Sequence, residues 1–217
     1  MNTGKKRKVR ELIENKNFNK AIELLEEILE KNPNDTDALY NLGFAYDHKA
    51  KNDEDREKFY PKAEEAYKKA LKVNPKLEKC LGGLGMLMWY KARHASKNNK
   101  KDEYLKESSN YLEKAYKINE NHNLLPIIAN IKFEKGETEE GEKYLLRAEK
   151  ILEDPFSVYV NGAFRLVEVG QNEKAKKYAK KALKNANNHW DMESKIVKEY
   201  ITKLEEISKN GKLKRRS

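Results

Sequence analysis

Apolar and small residues recur three and four positions apart through most of this chain, with charged or amide side chains filling the positions between. Ala21, Leu25, Ile28 and Leu29 form one such stripe. Leu39, Leu42 and Tyr46 form the next, and Ala63, Tyr67, Ala70 and Leu71 a third. This spacing matches the 3.6-residue turn of an α-helix and gathers each group on one helix face. Pro33, Pro75, Gly136 and Gly170 punctuate the stripes, so the pattern predicts a succession of helices joined by tight turns.

The stripes also repeat. Leu39, Leu42, Gly43 and Tyr46, followed by Ala63, Tyr67, Ala70, Leu71 and Pro75, are matched by Leu81, Leu84, Gly85 and Met88 with Ser108, Leu112 and Ala115. A fourth copy reads Leu125, Ile128 and Ala129, then Gly141, Leu145 and Ala148. A fifth reads Tyr159, Gly162, Ala163 and Leu166, then Ala175, Ala179, Ala182 and Leu183. The first copy shows only its second helix clearly, from Ala21 to Pro33. Gly136 and Gly170 lie 34 residues apart, as do Ile128 and Gly162. One helix pair cannot bury its apolar face alone, so such units stack on their neighbours.

On these residues the chain resembles the tetratricopeptide repeat (TPR), a helix–turn–helix unit of about 34 residues. The resemblance covers residues 5–187 and implies an all-α fold, a right-handed α-solenoid of about five TPR helix pairs. The repeats run approximately over 9–33, 36–75, 77–120, 122–154 and 156–187. They follow a basic N-terminal segment, 1–8. Trp190, Val197, Ile201, Leu204 and Ile207 recur at helical spacing, which predicts an amphipathic helix over 188–209. In this family such a helix covers the last repeat. Gly211 ends it, and 210–217 forms a basic tail.

Two copies carry extra residues at the same junction. Ile128 to Gly141 and Gly162 to Ala175 are each 13 residues, whereas Leu42 to Ala63 is 21 and Leu84 to Ser108 is 24. The polar insertions within 47–61 and 91–107 predict a lengthening of both flanking helices by about a turn each. Pro61 suits the first turn of its helix.

Composition changes the picture little. The 217 residues carry 46 Lys and Arg against 36 Asp and Glu. Residues 1–10 and 209–217 each hold five of the bases and no acid, which leaves the body neutral. The net charge of +10 therefore belongs to the ends, where Lys5-Lys6-Arg7-Lys8 and Lys214-Arg215-Arg216 form short clusters. Six lysines between Lys174 and Lys184 read as a solvated helix face. With no apolar stretch after the first basic cluster and one cysteine, Cys80, the expected location is cytoplasmic, or nuclear in a eukaryote.

Catalysis finds no constellation. His48, His94, His122 and His189 are scattered, without the i, i+4 pairing of a helical metal site. Cys80 adjoins the apolar position Leu81 and reads as a buried thiol. Gly82-Gly83-x-Gly85 fails as a phosphate loop, because the repeat register puts it inside a helix. Gly85 is the expected packing glycine. Gly82 and Gly83 are extra, either relieving crowding or opening space on the inner face. The reading is not an enzyme, with no cofactor and no metal.

In the TPR family the first helices of successive repeats line a concave groove that binds an extended peptide or a partner helix. Carried over, the resemblance assigns to this groove Tyr40, Asn41, Phe44 and Asp47 from repeat two, and Lys79, Gly83, Met86 and Trp89 from repeat three. Repeat four supplies Asn130 and Phe133; repeat five supplies Val160, Asn161, Phe164 and Val167. Asparagine amides can grip a peptide backbone and aromatic pockets can add selectivity. The relatives that hold chaperone C-termini use a two-carboxylate clamp. Here Asn41 and Lys79 sit at clamp positions, but Lys6 and Arg10 replace the usual Lys and Asn, and Gly83 stands where an arginine belongs. The function expected is a non-enzymatic protein–protein interaction module, an adaptor or scaffold with a protein or peptide partner and no membrane. The alternatives are a nucleic-acid-associated protein attached through its basic termini, or a regulatory subunit using the inserted polar edge.

Overall fold

A computed structural model describes residues 3–50, 53–95, 98–188 and 195–212. Eleven α-helices and no strands occur among them, in two compact units, Met1–Glu120 and Asn121–Ser217. Each unit is a stack of helix pairs, the repeating architecture of an all-α solenoid. Trp190 and the tail beyond residue 212 lie outside the described residues.

The first unit contains α1 (Thr3–Glu14), α2 (Phe18–Lys31), α3 (Thr36–Lys49), α4 (Asp53–Val73), α5 (Glu78–Arg93) and α6 (Asn98–Asn119). Helix α1 supplies the first half of repeat one, which the sequence left indistinct, and buries Val9 against Ala21, Leu25 and Ala38. The basic run Lys5–Lys8 therefore belongs to a helix. Lys5 pairs with Glu27, and Lys6 donates to Asp35 at 3.1 Å. Asp35 in turn caps α3, its carboxylate accepting from the Ala38 N–H at 3.1 Å.

What locks α3 to α5 is one ring. Tyr67, on α4 and only 1% exposed, is wedged between two glycines. A Cβ added at Gly43 would sit 2.7 Å from that ring, and one at Gly83 2.6 Å from it. Gly83 thus relieves crowding, whereas a Cβ on Gly82 would meet nothing within 4 Å. Gly85 makes the predicted close approach, here to Leu112, and its carbonyl accepts from the buried Ser108 hydroxyl at 2.6 Å.

The insertions lengthen helices, chiefly the second of each pair. α4 and α6 have 21 and 22 residues, seven or more beyond the 14 of their counterparts in the second unit. That is two extra turns instead of one. Pro61 lies in the third turn of α4 instead of its first. It has no N–H to give the Glu57 carbonyl, and the extended helix runs through it because the preceding turns pack Phe59 against Tyr46.

The second unit contains α7 (Leu125–Glu134), α8 (Thr138–Ile151), α9 (Phe156–Glu168), α10 (Asn172–Asn185) and α11 (Lys195–Asn210). Gly136 and Gly170 both adopt φ of +76° in the turns after α7 and α9, the left-handed conformation that ends a helix. Lys16 takes the same conformation after α1, at φ 56°. Helix α11 packs on α10 and α9 with Leu204 and Ile207 fully buried. Its end, Gly211, is buried so closely that a Cβ would come within 2.8 Å of the Asn172 carbonyl oxygen. It caps the last repeat.

Candidate functional site

In the first unit α3 and α5, the first helices of successive pairs, lie against one another. Gly43 and Gly83 bring these helices against the two sides of Tyr67, so the residues a turn away on each helix share one surface. On α3, the half-buried rings of Tyr40 and Phe44 stand 6.2 Å apart, and Tyr40 is 6.1 Å from Tyr67. Phe44 continues into a stack with His48 at 3.8 Å, and His48 Nδ1 donates to the Phe44 carbonyl at 3.0 Å. Asn41 lies beside them, half-buried.

On α5, Lys79 is exposed with its Nζ 5.8 Å from the Tyr40 ring. Met86 and Trp89 are half-buried. The indole lies 5.6 Å from Tyr90 and 5.2 Å from the Arg93 guanidinium. Of the ten groove candidates, Tyr40 contacts Phe44 and Lys79, while Asn41, Met86 and Trp89 are half-buried positions on the same two helices. Asp47 joins them in the last turn of α3. Burial pushes its carboxyl up to about 6, against a small opposing effect of His48.

The second unit uses its candidates differently. Phe133 is buried, its ring 3.1 Å from where a Gly141 Cβ would be, so it packs α7 onto α8. Asn130 is also buried. Phe164 meets Tyr200 of α11 edge to face at 5.8 Å and 80° and is half-buried; Asn161 is half-buried too. Repeat spacing marks Gly141 as a small position without saying which ring fills its slot, and gives no signal for the reach of Tyr200.

The remaining chemistry is structural. Cys80 is fully buried and burial pushes its thiol up to about 12, which keeps it protonated and unreactive. Glu149 accepts from the Tyr178 hydroxyl at 2.9 Å and pairs with Lys181. No group of three His, Cys, Asp or Glu side chains among the described residues is placed to hold a metal ion. No described helix is long and apolar enough to cross a membrane.

The tetratricopeptide-repeat family profile matches residues 12–54, from the end of α1 to the start of α4. Together with the stacked pairs, that match points to tetratricopeptide-type helix pairs. The chain has the TPR fold. No curated protein matches it. Among solved structures it is similar to TTC0263, a thermophilic TPR protein of Thermus thermophilus, at 20% identity and a TM-score of 0.66, over 94% of this chain and 98% of that one. It is similar to PilW, a type IV pilus biogenesis factor, at 17% identity and a TM-score of 0.71, over 94% and 86%. YrrB, a TPR protein with an unusual peptide-binding site, aligns at 18% identity and a TM-score of 0.64, over 83% and 84%. At these identities the likeness extends to the TPR fold.

Proposed function

We propose that this TPR protein is a non-enzymatic interaction module that binds an extended peptide or a partner helix on the α3–α5 face of its first unit. One observation carries the reading. Tyr40, Phe44 and Trp89 keep partly exposed rings on the adjacent helices α3 and α5, with Asn41 on α3, while Phe133 is buried in packing. Partly exposed aromatics beside an amide are the anchors that peptide recognition uses. The relation to YrrB, described as having a peptide-binding site, is consistent with it.

Attachment to nucleic acid through the basic ends has less support, because Lys5 and Lys6 are already paired with Glu27 and Asp35. The test is selection of phage-displayed random 12-residue peptides on the full chain. Peptides so obtained should lose binding to Phe44→Ala and Trp89→Ala and keep it for Lys177→Ala/Lys180→Ala on α10. Equal binding to all variants would remove the reading.

A further inference from the structure

A glycine inside a helix weakens it, and most of the helical glycines here offset that cost by packing. Gly43, Gly83, Gly85, Gly141 and Gly162 each make room for a ring or a leucine, whose atoms would lie within 3.1 Å of an added Cβ. Gly82, in the second turn of α5, differs from all five. No heavy atom lies within 4 Å of the place its Cβ would take, so the packing of the described residues does not require a glycine there.

Gly82 sits on the solvent side of α5. At about 100° per residue, Lys79, Gly82, Met86, Trp89 and Arg93 fall within about 80° of one another around the helix, opposite the buried Leu81, Leu84 and Leu87. The glycine is a notch in that stripe, and its neighbours do not close it. The Lys79 Nζ leans toward the Tyr40 ring of α3 at 5.8 Å. The Trp89 indole lies by Tyr90 and the Arg93 guanidinium at 5.6 and 5.2 Å, and Met86, one turn on, also leaves the notch open.

A position without a side chain is where a second backbone can approach a helix most closely. Donors stand on the same pair of helices. The Lys79 ammonium has no carboxylate partner, and the Asn41 amide on α3 makes no hydrogen bond, among the described residues. Both can donate to the free carbonyls of an extended chain, whereas the carbonyls of a partner helix are already taken within it.

We propose that the segment bound on the α3–α5 face is an extended peptide whose main chain crosses α5 at Gly82, the absent side chain setting how closely it seats. The assignment rests on the peptide-binding reading and adds to it the conformation of the ligand and its point of closest approach. Gly82 is then a specificity-determining residue, kept small for the partner and not for the fold.

The experiment titrates synthetic peptides, chosen from the displayed 12-residue library on the wild-type chain, against wild type, Gly82→Ala and Gly82→Leu. Binding should weaken about 3-fold for Gly82→Ala and at least about 10-fold for Gly82→Leu. Both variants should keep the wild-type far-ultraviolet circular dichroism and resist urea at least as well. The loss on Gly82→Leu should persist when each peptide side chain in turn is cut to alanine, because a main-chain contact has no side chain to remove. Peptides that need Phe44 and Trp89 but bind Gly82→Leu as well as wild type overturn this inference and leave the groove reading standing. So does one alanine change in the peptide that abolishes the effect of Gly82→Leu, since a side chain would then fill the notch. Failure to enrich any peptide above background overturns both.

Discussion

Replacing Asp47 by asparagine should make the protein more stable at neutral pH, although it removes a charged group from the proposed binding face. The carboxyl is raised from 3.8 to about 6 in the folded chain, and burial is the cause. At about 1.36 kcal/mol per pH unit, that rise corresponds to about 3 kcal/mol by which the folded state disfavours the ionised form. Residual hydration and the partners an asparagine amide would need bring the expected gain to about 1–3 kcal/mol. The sign follows from proton binding. Between about pH 4 and 6 the folded chain holds a proton that the unfolded chain has released, so the wild type loses stability as pH rises through that window and is level above it. The variant lacks this slope, and the two proteins should converge near pH 4 and separate by pH 7. Urea unfolding followed by Trp89 fluorescence, in a Trp190→Phe background, isolates the first unit. A loss of stability at pH 7, or a difference that is the same at pH 4 and 7, would refute the burial argument.

Three further predictions test the packing. Gly83→Ala should destabilise the first unit by about 1–3 kcal/mol through the Tyr67 ring, whereas Gly82→Ala, with open space at its Cβ, should stabilise it by up to about 1 kcal/mol; paired denaturation curves read both. Lys16→Gly should stabilise the same unit by about 1 kcal/mol, because Lys16 holds a left-handed φ that glycine adopts freely. Gly211→Ala should loosen α11 from α10, seen as faster amide exchange across 195–210, since a Cβ there meets the Asn172 backbone.

Much of the fold is legible in the sequence because small and large residues must alternate where helices touch. Gly43 with Tyr67, and Gly85 with Leu112, announce their contacts through repeat spacing, and Gly136 and Gly170 announce their turns. Helix α1 was harder to see because a basic surface masks its apolar positions Val9, Leu12 and Ile13. The helix positions of the candidate residues were legible, their packing was not. Helical spacing puts Phe133 and Phe164 on the same register as Trp89 and Phe44, but Gly141 draws Phe133 into a helix–helix seam and Tyr200 covers Phe164. Asp47 stood among the groove positions as one polar residue of several. Its burial, which raises its carboxyl to about 6, appears only in the folded chain.

The account turns on α3 and α5 being the surface that meets a partner. Amide hydrogen exchange of the full chain, with and without a selected peptide at saturation, tests that most directly. Protection concentrated in 36–49 and 78–93, with 138–151 and 172–185 unchanged, is the predicted result. Protection confined to α8–α11, or to the basic ends, would contradict it.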